Sequence, residues 1–178
     1  IFADGLDFSG DISTSWGVFA PWTNDDTAGD FSLGNTNFTG KIDAWYGNSS
    51  AYVQGTVSYD ALVNKLDFSL GEIWIDYTDS FWGLRIGRQK AAWGKADGID
   101  ITNVICPADL SSLAAMVGDD SSLPVDALRL SLSGNQYTLD AWWIPFFTPS
   151  PLMPDILSKI SQINKPEPAI WNGEYGIK

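Results

Sequence analysis

The chain of 178 residues contains no histidine. Without imidazole there is no histidine general base, no Ser-His nucleophile and little scope for zinc or haem ligation. Cysteine occurs once, at Cys106, so no internal disulfide can form. Glutamate occurs only at Glu72, Glu167 and Glu174. No two of these can be set at a glycosidase separation from sequence. These gaps argue against an enzyme, and nothing in the sequence calls for a cofactor or a metal. Charge is also scarce. Charged residues make up 18%, against roughly 25% in an ordinary soluble domain. The balance is one-sided, with a net charge of −12 carried mostly by aspartate. Nothing here neutralises a run of phosphates, so a nucleic-acid partner is not expected. No apolar run approaches the ~18 residues of a membrane helix.

What is present is apolar and aromatic. Hydrophobic residues reach 44%, aromatics 13%, and there are nine tryptophans. That rules out a disordered chain. The length suits a single domain over 1–178. "LDFSGDISTSWGVFA", from Leu6 to Ala20, alternates strictly. Leu6, Phe8, Gly10, Ile12, Thr14, Trp16 and Val18 share one face, apolar with small residues, and Asp7, Ser9, Asp11, Ser13 and Ser15 the other. Period two means a strand, longer than the usual five or six residues. The same alternation recurs over 36–46, 51–59, 66–77, 82–89, 128–132 and 137–143, and "EYGIK" resembles the opening of an eighth strand. The phase slips at Gly71, which predicts a bulge.

The connections carry a second pattern. The even ones, "GNSS" (47–50), "TDSF" (78–81) and "SGNQ" (133–136), are tight. The odd ones, about 20–35, 60–64, 94–123 and 145–171, are mostly long. Strands that alternate in direction place short turns at one end and long loops at the other. This is the plan of an antiparallel up-and-down transmembrane β-barrel, with about eight strands here. Tyr46, Tyr77, Trp82 and Tyr137 lie by the short turns, and Trp16, Tyr59, Phe68 and Trp143 towards the long loops. Two aromatic girdles are expected where strands cross a bilayer. The apolar faces would then meet outer-membrane lipid and the polar faces a lumen. The start "IFADG" allows Ala3 to be the last residue of a cleaved signal peptide.

The segment 84–110, "LRIGRQKAAWGKADGIDITNVICPADL", resembles a recurrent feature of porin-like bacterial outer-membrane proteins. The resemblance rests on Gly87-Arg88-Gln89, Trp93-Gly94 and Asn103 followed by Pro107-Ala108-Asp109, flanked by "GEIWIDY" and "LPVDALRLSL", and covers about 65–134. It implies the barrel fold and no particular solute. Such barrels end on a strand with a terminal aromatic residue. Here "EYGIK" stands instead, so the chain reads as the N-terminal portion of a larger barrel. Such porins also fold their third long loop into the lumen, which would make 94–123 a constriction.

Residues that would carry selectivity follow from this plan. Lys41, Asp43, Glu72, Asp76, Arg85, Arg129 and Asp140 fall on lumen-facing strand positions. Asp97, Asp100 and Asp109 sit on the inward-folding loop, with Asp119 and Asp120 beyond them. An acidic loop facing a basic wall sets a field across a narrow pore. "PADLSSLAAM" (107–116) has the spacing of a short helix, as does "PDILSKISQI" (154–163). Asp25, Asp26 and Asp30 could offer oxygen to calcium, but they lack the spacing of an established loop and read as solvated surface. The expected function is passive diffusion of small hydrophilic solutes across a bacterial outer membrane, and assembly of several copies is compatible with it. The alternative is a soluble or surface-exposed carbohydrate-binding β domain that stacks sugars on Trp142-Trp143.

Overall fold

A computed structural model describes residues 4–19, 29–91, 105–110, 122–152 and 173–177. Eight strands form one sheet in simple chain order, each antiparallel to the next. They are β1 (Gly5–Val18), β2 (Phe31–Tyr46), β3 (Ser49–Asp60), β4 (Lys65–Thr78), β5 (Trp82–Gln89), β6 (Val125–Ser133), β7 (Thr138–Ile144) and β8 (Glu174–Ile177). β1 and β8 are the two edges and do not pair with each other, so the sheet is open. The all-β, up-and-down class expected from the alternation is what forms. No helix occurs among the described residues.

Alternation governs which side chain goes where. Leu6, Ala44, Ala51, Ile75, Ile86, Leu128 and Trp143 follow one another in register across seven strands. Phe8, Ile42, Val53 and Ile73 form the next such row. This apolar face is open: Phe8 is 67% exposed, Ile12 73% and Phe68 66%. At its margins Trp16 meets Phe31 edge-on at 5.8 Å and Tyr77 leans on Trp82 at 5.3 Å. The Trp16 indole N–H donates to Thr14 Oγ1 at 2.7 Å, so this aromatic keeps a polar partner on an otherwise apolar face.

The rows run obliquely. Leu6 lies one residue past the start of β1, at the short-turn end, and Trp143 one residue before the end of β7, at the long-loop end. Pairing that climbs in this way means the strands are tilted and staggered, as in sheets that curl towards closure. The expected bulge is present. Gly71 and Glu72 together oppose Gln54, between the pairs Val53–Ile73 and Gly55–Leu70. The β2–β3 turn uses Gly47 at φ 53°, a left-handed conformation that suits glycine, and its N–H donates to Asp4 Oδ2 at 2.9 Å.

Three expectations need correction or restriction. Residues 31–35, read as loop, belong to β2. Gly34 and Thr36 occupy apolar-face positions without a large side chain, and the register slips beside Gly17–Val18, so the alternation is hidden there. Pro107–Leu110, read as the first turn of a helix, is extended. Ala108 bridges Ser122, and Leu110 bridges Leu152. Their backbone hydrogen bonds go to other segments: Leu123 N–H donates to Pro107 O at 2.8 Å and Leu110 N–H to Pro151 O at 3.1 Å. A helix would have to break both. The rest of that stretch, the second expected helix at 154–163 and the acidic residues Asp25 and Asp26 lie outside the described residues.

Candidate functional site: the charged sheet face

The opposite face collects the charge. Lys41, Asp43, Glu72, Asp76, Arg85, Arg129 and Asp140 all occupy this one face, as their alternation predicts. Lys41 approaches Asp11 across β1–β2 at 3.9 Å. Asp43 lies directly opposite Asp7, a like-charge juxtaposition, and on its other side opposite Tyr52. Glu72, on the bulge, accepts the Lys90 backbone N–H at 3.0 Å and so holds the exit of β5.

Two arginine sites stand next to each other. Arg85 Nε donates to Asp76 Oδ2 at 2.9 Å. Its guanidinium lies over the Trp74 ring at 3.8 Å, and Trp74 in turn stacks on Tyr52 at 5.4 Å. Arg129 donates from Nε and Nη2 to Asp140 Oδ1 at 3.1 and 2.9 Å, and Ser131 Oγ donates to the same oxygen at 2.7 Å. Trp142 lies under Arg129 at 5.4 Å. Planar guanidinium over an indole gains cation–π attraction and loses freedom. Both pairs are partly shielded from water, so solvent screens them less than a fully exposed pair.

A small core closes one end of this face. Ala91, Ile105, Cys106, Val125, Ala127, Trp142 and Ile144 are buried together. Ala91 N–H donates to Cys106 Sγ at 3.1 Å. Val125, Ala127, Trp142 and Ile144 share the arginine face by register, so Ile105 and Cys106 are buried on that side of the sheet. A cavity of about 270 Å³ lies beside them, lined by Ile105–Ala108, Phe147, Thr148, Ser150 and Glu174. Asp109 belongs to this covering segment. Asp97 and Asp100 fall outside the described residues.

The aromatic backing is what reasoning from sequence passed over. Tyr52, Trp74 and Trp142 sit on the polar phase of their strands, and that phase was the signal. Trp142 and Trp143 point to opposite faces, with Trp142 only 7% exposed, so they offer no joint sugar platform. Among the described residues, no group of three or more His, Cys, Asp or Glu side chains could hold a metal ion. The face and its partner thus define a class: an open, curling antiparallel sheet with one apolar and one ion-paired side. No family model matches the chain, and neither does any curated protein or any solved structure.

Proposed function

We propose that this sheet is wall of a porin-like outer-membrane channel, through which small hydrophilic solutes diffuse passively. The observation that carries the reading is the division of the two faces. Exposed Phe, Ile, Leu and Val dominate one side, interrupted by small residues, threonines and the facing Arg88 and Asp126, while carboxylates, guanidiniums and amides cover the other. Exposed apolar area on this scale is foreign to a monomer in water and suits contact with lipid. Strands of 12 to 16 residues in β1–β4 match the ~9–11 residues that a tilted strand needs to cross, with margin for the interfaces. The segment around Ile105 and Cys106, packed on the charged side, supports the reading of 94–123 as an inward loop. The solvated charges support a hydrated lumen. The test is site-directed spin labelling in lipid vesicles. Labels at Ile12 and Val57 should be quenched by a lipid-soluble agent, and labels at Gln54 and Arg85 by a water-soluble one. The reverse pattern would mean a closed aqueous protein and would end the channel reading.

A further inference from the structure

Arg85 and Arg129 are direct cross-strand partners. Two cations placed opposite each other on neighbouring strands destabilise the pair unless something compensates. Compensation is present, but on the outer sides only. Arg85 is drawn towards β4 by Asp76 and Trp74, and Arg129 towards β7 by Asp140 and Trp142. The seam between the two is left open. Its neighbouring positions on the same face are Gly83 opposite Ser131 and Gly87 opposite Ala127. All four are small, so no side chain of the seam reaches across it.

The donor count points the same way. A guanidinium has five N–H donors in a fixed fork. Arg85 uses only Nε, and Arg129 uses Nε and Nη2. Both Nη atoms of Arg85, and Nη1 of Arg129, have no hydrogen-bond partner among the described residues. The two side chains remain 26% and 29% exposed, so these donors are open to a solute. Each fork is held by a carboxylate at one edge and an indole at its face. Ordering it further on binding costs little.

We propose that the Arg85–Arg129 seam binds the oxyanion group of a solute, a carboxylate or a phosphate, between its two forks. Such a group supplies the acceptors that the free N–H edges lack. It also removes the like-charge repulsion across β5–β6. Planar bidentate recognition of carboxylate and phosphate is what guanidinium does best, and lysine does not reproduce it. The proposal rests on the channel reading only for how the solute reaches the face.

The test is calorimetric titration of the purified chain in detergent micelles at low ionic strength, with inorganic phosphate and with acetate as separate probes. Saturable binding of at least one probe is expected, and the tighter one names the class. Arg85→Gln and Arg129→Gln should each weaken it by about tenfold or more. Arg85→Lys, which retains a cation for Asp76, should weaken it as well, because the fork is lost. Lys65→Gln, at the long-loop end of β4 where Lys65 pairs with Asp67 at 3.4 Å, should leave it unchanged. Circular dichroism confirms that each variant keeps its strands. No saturable binding of either probe, or arginine variants within twofold of wild type, would overturn the proposal. Because no transport is measured, this result and the spin-label result can fail separately.

Discussion

Replacing Ile12 by arginine tests the environment of the apolar face most directly. Ile12 is the eighth of fourteen residues in β1 and is 73% exposed. It touches little protein, so the substitution removes little packing. In water a change at such a site moves stability by no more than ~0.5 kcal/mol. In a bilayer the arithmetic differs. Fourteen residues at ~3.3 Å each span about 46 Å. Tilted by ~40°, they cross about 35 Å, slightly more than the hydrocarbon core. Ile12 then lies close to the midplane, where arginine costs ~2–4 kcal/mol. Thr56→Arg is the companion variant. Thr56 faces the charged side and shares a hydroxyl hydrogen bond with Thr39 at 3.1 Å. Its loss costs ~1 kcal/mol, and the new charge stays hydrated. Equilibrium urea unfolding from phospholipid vesicles, followed by tryptophan fluorescence, measures both. Equal losses at the two sites, or a loss below ~0.5 kcal/mol for Ile12→Arg, would refute the lipid assignment.

Other outcomes follow from the same geometry. Asp7→Asn should stabilise the sheet by ~0.2–1 kcal/mol, because it relieves the carboxylate opposite Asp43; no gain in urea midpoint would mean that the two charges are independently solvated. Gly87→Ala should destabilise by ~1–3 kcal/mol, since the residue sits at φ 131° and an added Cβ would strike the Ile73 carbonyl oxygen and come within 2.8 Å of Trp74 Cα; thermal unfolding reads this. Cys106, the sole thiol and buried, should react with a maleimide only on unfolding; rapid labelling of the folded chain would place its segment off the sheet. Asp97, Asp100 and Asp109 exchanged together for asparagine should shift ion preference away from cations in planar-bilayer recordings, since fixed negative charge at a narrow point favours them. An unchanged reversal potential would take these residues out of the pore.

The sequence made the strands legible because most of them are half-covered, with one polar and one apolar side. Where both sides are covered, the alternation fails. "AWWI" (141–144) is apolar throughout because Trp142 and Ile144 pack into the small core while Trp143 faces outward. On β6 the change is one of phase, with Val125 and Ala127 in the small core and Leu128 on the opposite, apolar face. A continuous apolar run of this kind is the signature of a strand buried on both faces, and it identifies where a loop must cover the charged side. The charged-face residues were legible for the same reason as the strands: phase alone assigns Lys41, Asp76, Arg85 and Arg129 to one face. Their partners were not, because pairing depends on register, and register depends on bulges. The slip at Gly71–Glu72 offsets the part of β4 after it relative to β3, so that Asp76 meets Ser50 and Trp74 meets Tyr52. The expected first helical turn at 107–110 failed on competition. Its spacing is real, but Pro107 O and Leu110 N–H are engaged elsewhere.

The oblique climb of the paired rows bears on how charge is distributed in depth. Along one row the sequence is Trp45, Ser50, Asp76, Arg85, Arg129 and Trp142. Because each step across the sheet is also a step along it, neighbours in the row stand at different heights. When such a sheet curls around an axis, its ion pairs form a spiral staircase and not a ring. A particle travelling along that axis would meet Asp76, Arg85 and Arg129, neighbours in this row, at successive heights. Each handover would be short, and no single level would hold all the charge.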